Sequence, residues 1–330
     1  MLKSVCRNAR QFFVSLAKGE RLLIEVHINN FFNFQPSFGV NEAFRDELRE
    51  KLGIVEYLKK RQIWHLEQSG VHCEYYLAKS PKTAPCIVFL PGIGTYSELY
   101  AEFLAKLAAQ GYNVFSIDFP GHGYSAGSRG RYTVNDVVVA VQELLDKLEQ
   151  EEINGSCGIF GYSVGSLLGL AVTEADERIR SLLCFTLLLP DIPPDMLYDL
   201  GWWWTRWNSY MFPFASVPLS SFIDFNALMR SHPAGDLINK DPLIVLDYPL
   251  STLSSIFSYH SRIINQDINV PITILHGDRD EVLPLAYSQT LVAKVVQPIE
   301  LSEISNVGHM MPWLNTDELV KRTVSWFAAM

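Results

Sequence analysis

Residues 161–165 read Gly-Tyr-Ser-Val-Gly, where an apolar run ends and a helix-favouring run, Ser-Leu-Leu-Gly-Leu-Ala-Val, begins at Ser166. A Gly-x-Ser-x-Gly between a buried strand and a helix holds its serine on a tight, strained turn, with the hydroxyl presented as a nucleophile. Strand and helix nearly touch at such a turn, so the residues two before and two after the serine must be small, as Gly161 and Gly165 are. The helix N-terminus behind Ser163 offers amide donors and a field that favours negative charge. The plainer alternative is a glycine-rich turn whose serine only caps the helix.

A serine hydroxyl is a weak nucleophile; it needs a base, and the base needs an orienting group. Of eight histidines, His309 follows Ser305-Asn306-Val307-Gly308, directly after the last predicted strand. His276 ends a predicted strand and is also suitable by position, while His65 and His72 fall in a predicted hairpin. The acid is expected in Gly-Asp-Arg-Asp-Glu-Val-Leu-Pro, residues 277–284; Asp278, Asp280 and Glu281 are all available there, and spacing alone does not choose among them. An acyl-transfer site also needs donors for a developing oxyanion. The amide of Val164 is one candidate. The amide of Ile93 is the other, in Pro91-Gly92-Ile93-Gly94-Thr95, which otherwise reads as a plain Pro-Gly turn.

The elements that must position these groups follow a regular rhythm. A hairpin is predicted from Ile63–Gln68 and Val71–Ala78 around Ser69-Gly70. Apolar strands at 86–90, 113–118, 156–160, 181–189, 272–276 and 299–304 alternate with helices at 97–110, 134–151, after 163, 285–296 and 317–328. Short apolar strands alternating with helices predict an α/β fold with a mostly parallel sheet and helices on both faces. Between 190 and 268 the rhythm is lost in a segment rich in aromatics and proline. It reads as an insertion over the sheet edge where such folds bind ligands. Asn41 is expected to cap one helix running to about Gln62, with Glu47/Lys51 and Glu56/Lys60 as i,i+4 pairs.

Composition narrows the function classes. The net charge is −9, which argues against a nucleic-acid partner. Five cysteines, odd in number and without a C-x-x-C, give neither a disulfide framework nor a zinc site, and a reducing, cytoplasmic setting is expected. No apolar run reaches the ~18 residues that span a bilayer, and no secretory signal is visible. At the N-terminus Leu2, Val5, Cys6, Ala9, Phe12, Phe13 and Leu16 recur at helical spacing with Lys3, Arg7, Arg10 and Lys18 mostly opposite. Such a helix packs on its own domain, lies on a membrane surface, or serves as a transit-type presequence.

Residues 63–330 resemble the α/β-hydrolase superfamily, especially its monoacylglycerol lipase and lysophospholipase-like branch. The markers are Leu-Pro-Gly-Ile-Gly at 90–94, Asp-Phe-Pro-Gly-His-Gly-Tyr-Ser at 118–125, Gly-Tyr-Ser-Val-Gly at 161–165, Asp-Pro-Leu at 241–243, residues 277–284, and Val-Gly-His at 307–309. The resemblance implies Ser163 as nucleophile, Asp280 as acid and His309 as base, with His122 a loop residue beside the site. It implies a cap at 190–268 between core segments 63–189 and 269–330. Residues 1–62 match nothing in the family and stand as an N-terminal helical extension. Pro91-Gly92 replaces the family's frequent His-Gly. The expected activity is hydrolysis of carboxylic esters, lipid-like ones such as monoacylglycerols or lysophospholipids, with no metal or organic cofactor. A thioesterase, acyltransferase or peptidase would use the same triad, and a non-catalytic binding protein is the alternative outside enzymes. Dehalogenases and epoxide hydrolases of this fold carry Asp where Ser163 stands. Trp202, Trp203, Trp204 and Trp207 cannot all face one side of a helix; with Met211, Phe212, Phe214 and Phe222 they are expected to wall an acyl channel, touch a membrane, or pack the cap's own core.

Overall fold

The computed structural model describes residues 41–219, 223–230 and 232–329. The basic amphipathic helix expected near the N-terminus and Phe222 lie outside the described residues. The chain opens with α1 (Glu42–Leu52) and α2 (Val55–Leu58), then the hairpin β1 (Gln62–Leu66) and β2 (Val71–Tyr76). β3 (Cys86–Leu90), α3 (Ala101–Ala109), β4 (Asn113–Ile117), α4 (Val134–Gln150), β5 (Cys157–Tyr162), α5 (Val164–Ala175) and β6 (Ile179–Phe185) follow. After β6 come α6 (Met196–Met211), β7 (Ser216–Pro218), α7 (Phe225–Leu228), α8 (Gly235–Lys240), β8 (Asp247–Pro249) and α9 (Leu250–Phe257). The rhythm then resumes with β9 (Ile272–Gly277), α10 (Leu285–Lys294), β10 (Ile299–Ile304), α11 (Met311–Leu314) and α12 (Thr316–Phe327).

Among the described residues, eight strands form one sheet in the order β1-β2-β4-β3-β5-β6-β9-β10. β2 is antiparallel to both its neighbours, and every pairing from β4 to β10 is parallel. The strand period of two divides the core between the faces. Cys86, Val88 and Leu90 of β3 join one buried cluster, and Ile87 and Phe89 join the other. Both faces are covered, which is why β3 and β5 read as unbroken apolar runs. β6 and β9 are neighbours in the sheet, so everything from α6 to α9 is an insertion between adjacent strands.

Two local expectations are corrected. Asn41 does cap the first helix, its side chain accepting from the Phe44 amide. That helix stops at Leu52, because Gly53 takes a left-handed conformation (φ 70°) that closes it, and Gln62 already belongs to β1. Glu56 accordingly pairs with Lys59 rather than Lys60. β6 ends at Phe185, and the apolar residues up to Leu189 continue as irregular chain toward the insertion.

The first helix is fastened to the core by a buried charge cluster. Arg45 is 1% exposed. It donates to the Tyr96 hydroxyl (2.6 Å), to Asp241 of the insertion (2.8 Å), and to Glu98. Arg49 and Arg61 also reach Glu98 (2.9 Å each). Burial alone would push the Glu98 carboxyl up, but Arg49, Arg45 and Arg61 outweigh it and hold it at about 2. A carboxyl with a depressed native pKa contributes stability above its unfolded value and loses it as pH falls through the native one. Glu98 should therefore stabilise fully above about 4.5 and lose that contribution toward about 2. Arg45→Ala, which leaves Asp241 buried without its cation, is expected to cost about 3–5 kcal/mol in urea unfolding at neutral pH, and a loss below about 1 kcal/mol would show that the cluster does not fasten the helix.

Candidate active site

The parallel strands deliver their loops to one edge of the sheet. β5 ends at Tyr162 and α5 starts at Val164, so a single residue, Ser163, makes the turn. Its backbone sits at φ 54°, ψ −121°, a conformation that L-residues rarely adopt. Neighbouring contacts enforce it. A Cβ on Gly161 would come within 2.6 Å of the Gly165 carbonyl, and one on Gly165 within 2.5 Å of the Pro91 carbonyl. The Ser163 amide donates to the Phe185 carbonyl of β6 (2.6 Å), which ties the turn to the adjacent strand.

His309 lies on the loop between β10 and α11, with its side chain almost fully buried. Its Nδ1 is 2.7 Å from Asp280 Oδ2. That bond places the proton on Nδ1 and leaves Nε2 as an acceptor. The other Asp280 oxygen accepts from the amides of Val282 and Leu283 (2.8 Å each). Burial would raise the Asp280 carboxyl, but the His309 imidazole and the Leu283 amide bring it below its ordinary value. The His309 ring stands 5.4 Å from the Tyr162 ring, beside the serine, and the Tyr162 hydroxyl donates to the His309 carbonyl (3.0 Å). Among the described residues no hydrogen bond joins the Ser163 hydroxyl to His309; such bonds are often long before a substrate tightens the site.

Asp278, Glu281, His276 and His122 have other partners. Asp278 accepts from the Asn306 amide (2.7 Å) and shapes the loop. Glu281 accepts from the His309 amide and from Arg230 of the insertion (3.0 Å each). His276 is buried between Ser288 and the Leu283 carbonyl. His122 is buried between the Pro120 carbonyl and the Tyr248 hydroxyl, and burial holds it down at about 3, so it is neutral.

The amides of Val164 and Ile93 have no protein acceptor among the described residues, whereas the amides flanking Ile93 are taken: Gly92 by the Tyr100 hydroxyl (3.3 Å) and Gly94 by the Tyr248 hydroxyl (2.8 Å). The insertion therefore touches both the Ile93 loop, through Tyr248, and the His309 loop, through Arg230 and Glu281. Neither contact was visible in the sequence, because Gly94 and Tyr248 are 154 positions apart and Arg230 and Glu281 are 51 apart.

A buried acid, an imidazole and a half-buried serine on a tight turn at one sheet edge, with two unpaired amides beside them, can carry out nucleophilic acyl transfer. The family model described as Serine aminopeptidase, S33 (Hydrolase_4) matches residues 81–313. The chain belongs to that family. Its architecture is the α/β-hydrolase fold. Monoglyceride lipase of Mus musculus is 26% identical over 178 residues, 52% of this chain and 56% of that protein. A haloalkane dehalogenase of Psychrobacter cryohalolentis is 29% identical over 138 residues, 41% of this chain and 43% of that protein. The chain thus matches about half the length of these curated relatives. The crystal structure of Paleococcus ferrophilus monoacylglycerol lipase shares the fold with a TM-score of 0.64 at 19% identity, over 78% of this chain and 98% of that one.

The aromatic helix of the insertion divides its indoles. Trp202 is 1% exposed and stacks on Phe257 (5.2 Å). Trp203 and Trp207 are 55% and 61% exposed, with their rings 6.0 Å apart. Of the roles expected for these indoles, packing the insertion's own core falls to Trp202, while Trp203 and Trp207 face outward.

The strain at Ser163 is open to measurement. Ser163→Gly removes the Cβ that makes this backbone costly, and Ser163→Ala keeps it. The glycine variant is expected to be more stable than the alanine variant by about 1 kcal/mol in thermal unfolding, against the usual order for this pair. An alanine variant of equal or greater stability would mean that the turn stores no strain.

Proposed function

We propose that this hydrolase cleaves carboxylic esters of lipid-like substrates, monoacylglycerols or lysophospholipids, through an acyl-enzyme on Ser163. The observation that carries the reading is the buried Asp280–His309 pair beside a serine held on a strained turn. Ser163 attacks the acyl carbon while His309 Nε2 takes its proton and then passes it to the leaving alcohol. Asp280 keeps the proton of the resting imidazole on Nδ1 and stabilises the imidazolium. The amides of Ile93 and Val164 bind the oxyanion. Water, activated by His309, releases the acid.

The dehalogenase similarity does not favour halide displacement, because that chemistry needs a carboxylate nucleophile and position 163 is serine. The family description supports a second reading, peptide or amide cleavage on the same triad. An acyl series of p-nitrophenyl esters and matching amides, run with wild type and Ser163→Ala, separates the two. Turnover of long-chain esters that disappears in the variant is expected; Ser163-dependent turnover confined to amides would replace the lipid reading. Asp280→Asn should lower kcat by about 10³–10⁴-fold, and a loss under tenfold would remove Asp280 from the triad.

We also infer that the insertion meets a neutral lipid surface. Met196, Leu200, Trp203, Trp207 and Tyr210 are all exposed and recur at steps of four and three along α6, which puts them on one helix face. Met211, Phe212 and Phe214 extend the exposed apolar surface. Indole, phenol and thioether side chains suit the boundary between water and lipid. Asp191, Asp195 and Asp199 at the start of this segment disfavour anionic headgroups. No helix of the described residues is long and apolar enough to cross a membrane. Replacing Trp203 and Trp207 with serine should lower partitioning onto phosphatidylcholine vesicles at least tenfold, and unchanged partitioning would exclude this face as the contact.

A further inference from the structure

The assignment of Ile93 as an oxyanion donor leaves open what aims its amide. An isolated loop amide next to Gly92 and Gly94 would be free to turn, and a donor that turns must reorganise during the reaction, which forfeits most of its benefit. The surroundings of Gly92 remove that freedom. The Gly92 amide donates to the Tyr100 hydroxyl (3.3 Å). The Thr95 hydroxyl donates to the Gly92 carbonyl (2.8 Å), and the Thr95 amide adds a second, longer bond to that carbonyl (3.2 Å). The Thr95 and Tyr100 hydroxyls are themselves 2.7 Å apart.

Proton counting fixes the direction of these bonds. Thr95 has one hydroxyl proton, and it goes to the Gly92 carbonyl. The proton between the two hydroxyls therefore comes from Tyr100, whose oxygen is free to accept from the Gly92 amide. The result is a closed one-way ring: Gly92 amide to Tyr100, Tyr100 to Thr95, Thr95 to the Gly92 carbonyl. All three residues are buried, so water does not compete, and hydrogen bonds running in one direction reinforce one another. A side chain on Gly92 would meet the Tyr162 ring at 2.9 Å, so the residue is also wedged sterically.

No peptide bond of the described residues is cis. In a trans peptide the carbonyl and the following amide point in opposite directions. With the Gly92 carbonyl turned inward onto Thr95, the Ile93 amide must face away from the ring, where no protein acceptor takes it. The same stretch lies against the elbow, since the Pro91 carbonyl abuts Gly165. On the far side of Ile93, Gly94 is held by the Tyr248 hydroxyl and by the Val245 amide (2.9 Å).

We propose that Thr95 and Tyr100 are positioning residues whose hydroxyls lock the Gly92–Ile93 peptide plane and aim the Ile93 amide at the oxyanion. The proposal rests on the reading of Ser163 as an acyl-transfer nucleophile. Neither hydroxyl touches substrate; both act through Gly92.

The test compares wild type with Thr95→Val, Thr95→Ser, Tyr100→Phe and the Val/Phe double variant. Two readouts are taken, steady-state ester hydrolysis and the rate of Ser163 phosphonylation by a fluorophosphonate, which also builds a charged oxygen at the site. Thr95→Val and Tyr100→Phe should each lower kcat by about ten- to a hundredfold, less than the roughly 10²–10³-fold lost when an oxyanion donor is removed outright, with KM changed less than about twofold. Phosphonylation should slow in proportion. Thr95→Ser, which keeps the hydroxyl, should recover most of the loss. The double variant should lose little more than either single one, because a ring broken once is already open. A Thr95→Val enzyme that labels and turns over at the wild-type rate overturns the proposal alone. So does a loss shared equally by Thr95→Ser, or one that falls on KM, since either would indicate packing. A wild type that takes no label overturns the acyl-transfer reading and this proposal with it.

Discussion

The close approach of β5 and α5 at Ser163 is the constraint on which the site depends. With Gly161 and Gly165 in backbone contact, the chain has one residue in which to change from strand to helix, and Ser163 takes a φ of 54° to do so. The turn projects the serine beyond the sheet edge, frees the Val164 amide at the head of α5, and sets Tyr162 against His309. A wider turn would relax the backbone and lose all three. The parallel sheet provides the rest of the placement, because β3, β9 and β10 end at the same edge and bring the loops of Ile93, Asp280 and His309 to the serine.

Around that turn the protein uses buried polar groups to hold its loops, and nearly all of them are matched. Asp118 accepts the amides of Ser97 (2.7 Å) and Tyr124 (2.9 Å), joining the His122 loop to the segment after Ile93. Arg45 bridges the first helix to Tyr96 on one side and to Asp241 of the insertion on the other. Buried ions of this kind add little net stability when paired and cost several kcal/mol when one partner is removed. Their effect is to make one arrangement of loop, helix and insertion far better than its neighbours. The helix before β1 is thus part of the scaffold of the site, through Arg45 and through Leu48 and Leu52 in the core.

Much of this was legible in the sequence for definite reasons. Buried parallel strands are short unbroken apolar runs, so β3, β5 and β9 could be read directly, and a Gly-x-Ser-x-Gly between strand and helix has few other uses. Among Asp278, Asp280 and Glu281 the sequence gives no physical ground for choice, since all three sit on one loop; family resemblance selected Asp280, and the structure pairs that residue with His309. Contacts distant in sequence left no local trace. Arg45 and Asp241 are separated by 196 positions, and an arginine at helical spacing looks like any solvated charge. The helix end at Gly53 was missed because apolar periodicity continued through Val55. The split among the tryptophans was only half visible: spacing showed that they must diverge, and packing on Phe257 decided that Trp202 goes inward.

The central claim is a covalent acyl intermediate on Ser163. Rapid acid quenching of the enzyme during turnover of a p-nitrophenyl ester, followed by peptide mass spectrometry, tests it most directly. The account predicts the mass of the acyl group on the peptide containing Gly161–Gly165, localised to Ser163. An acyl group on another residue, or ester turnover without any acylated peptide, would contradict it.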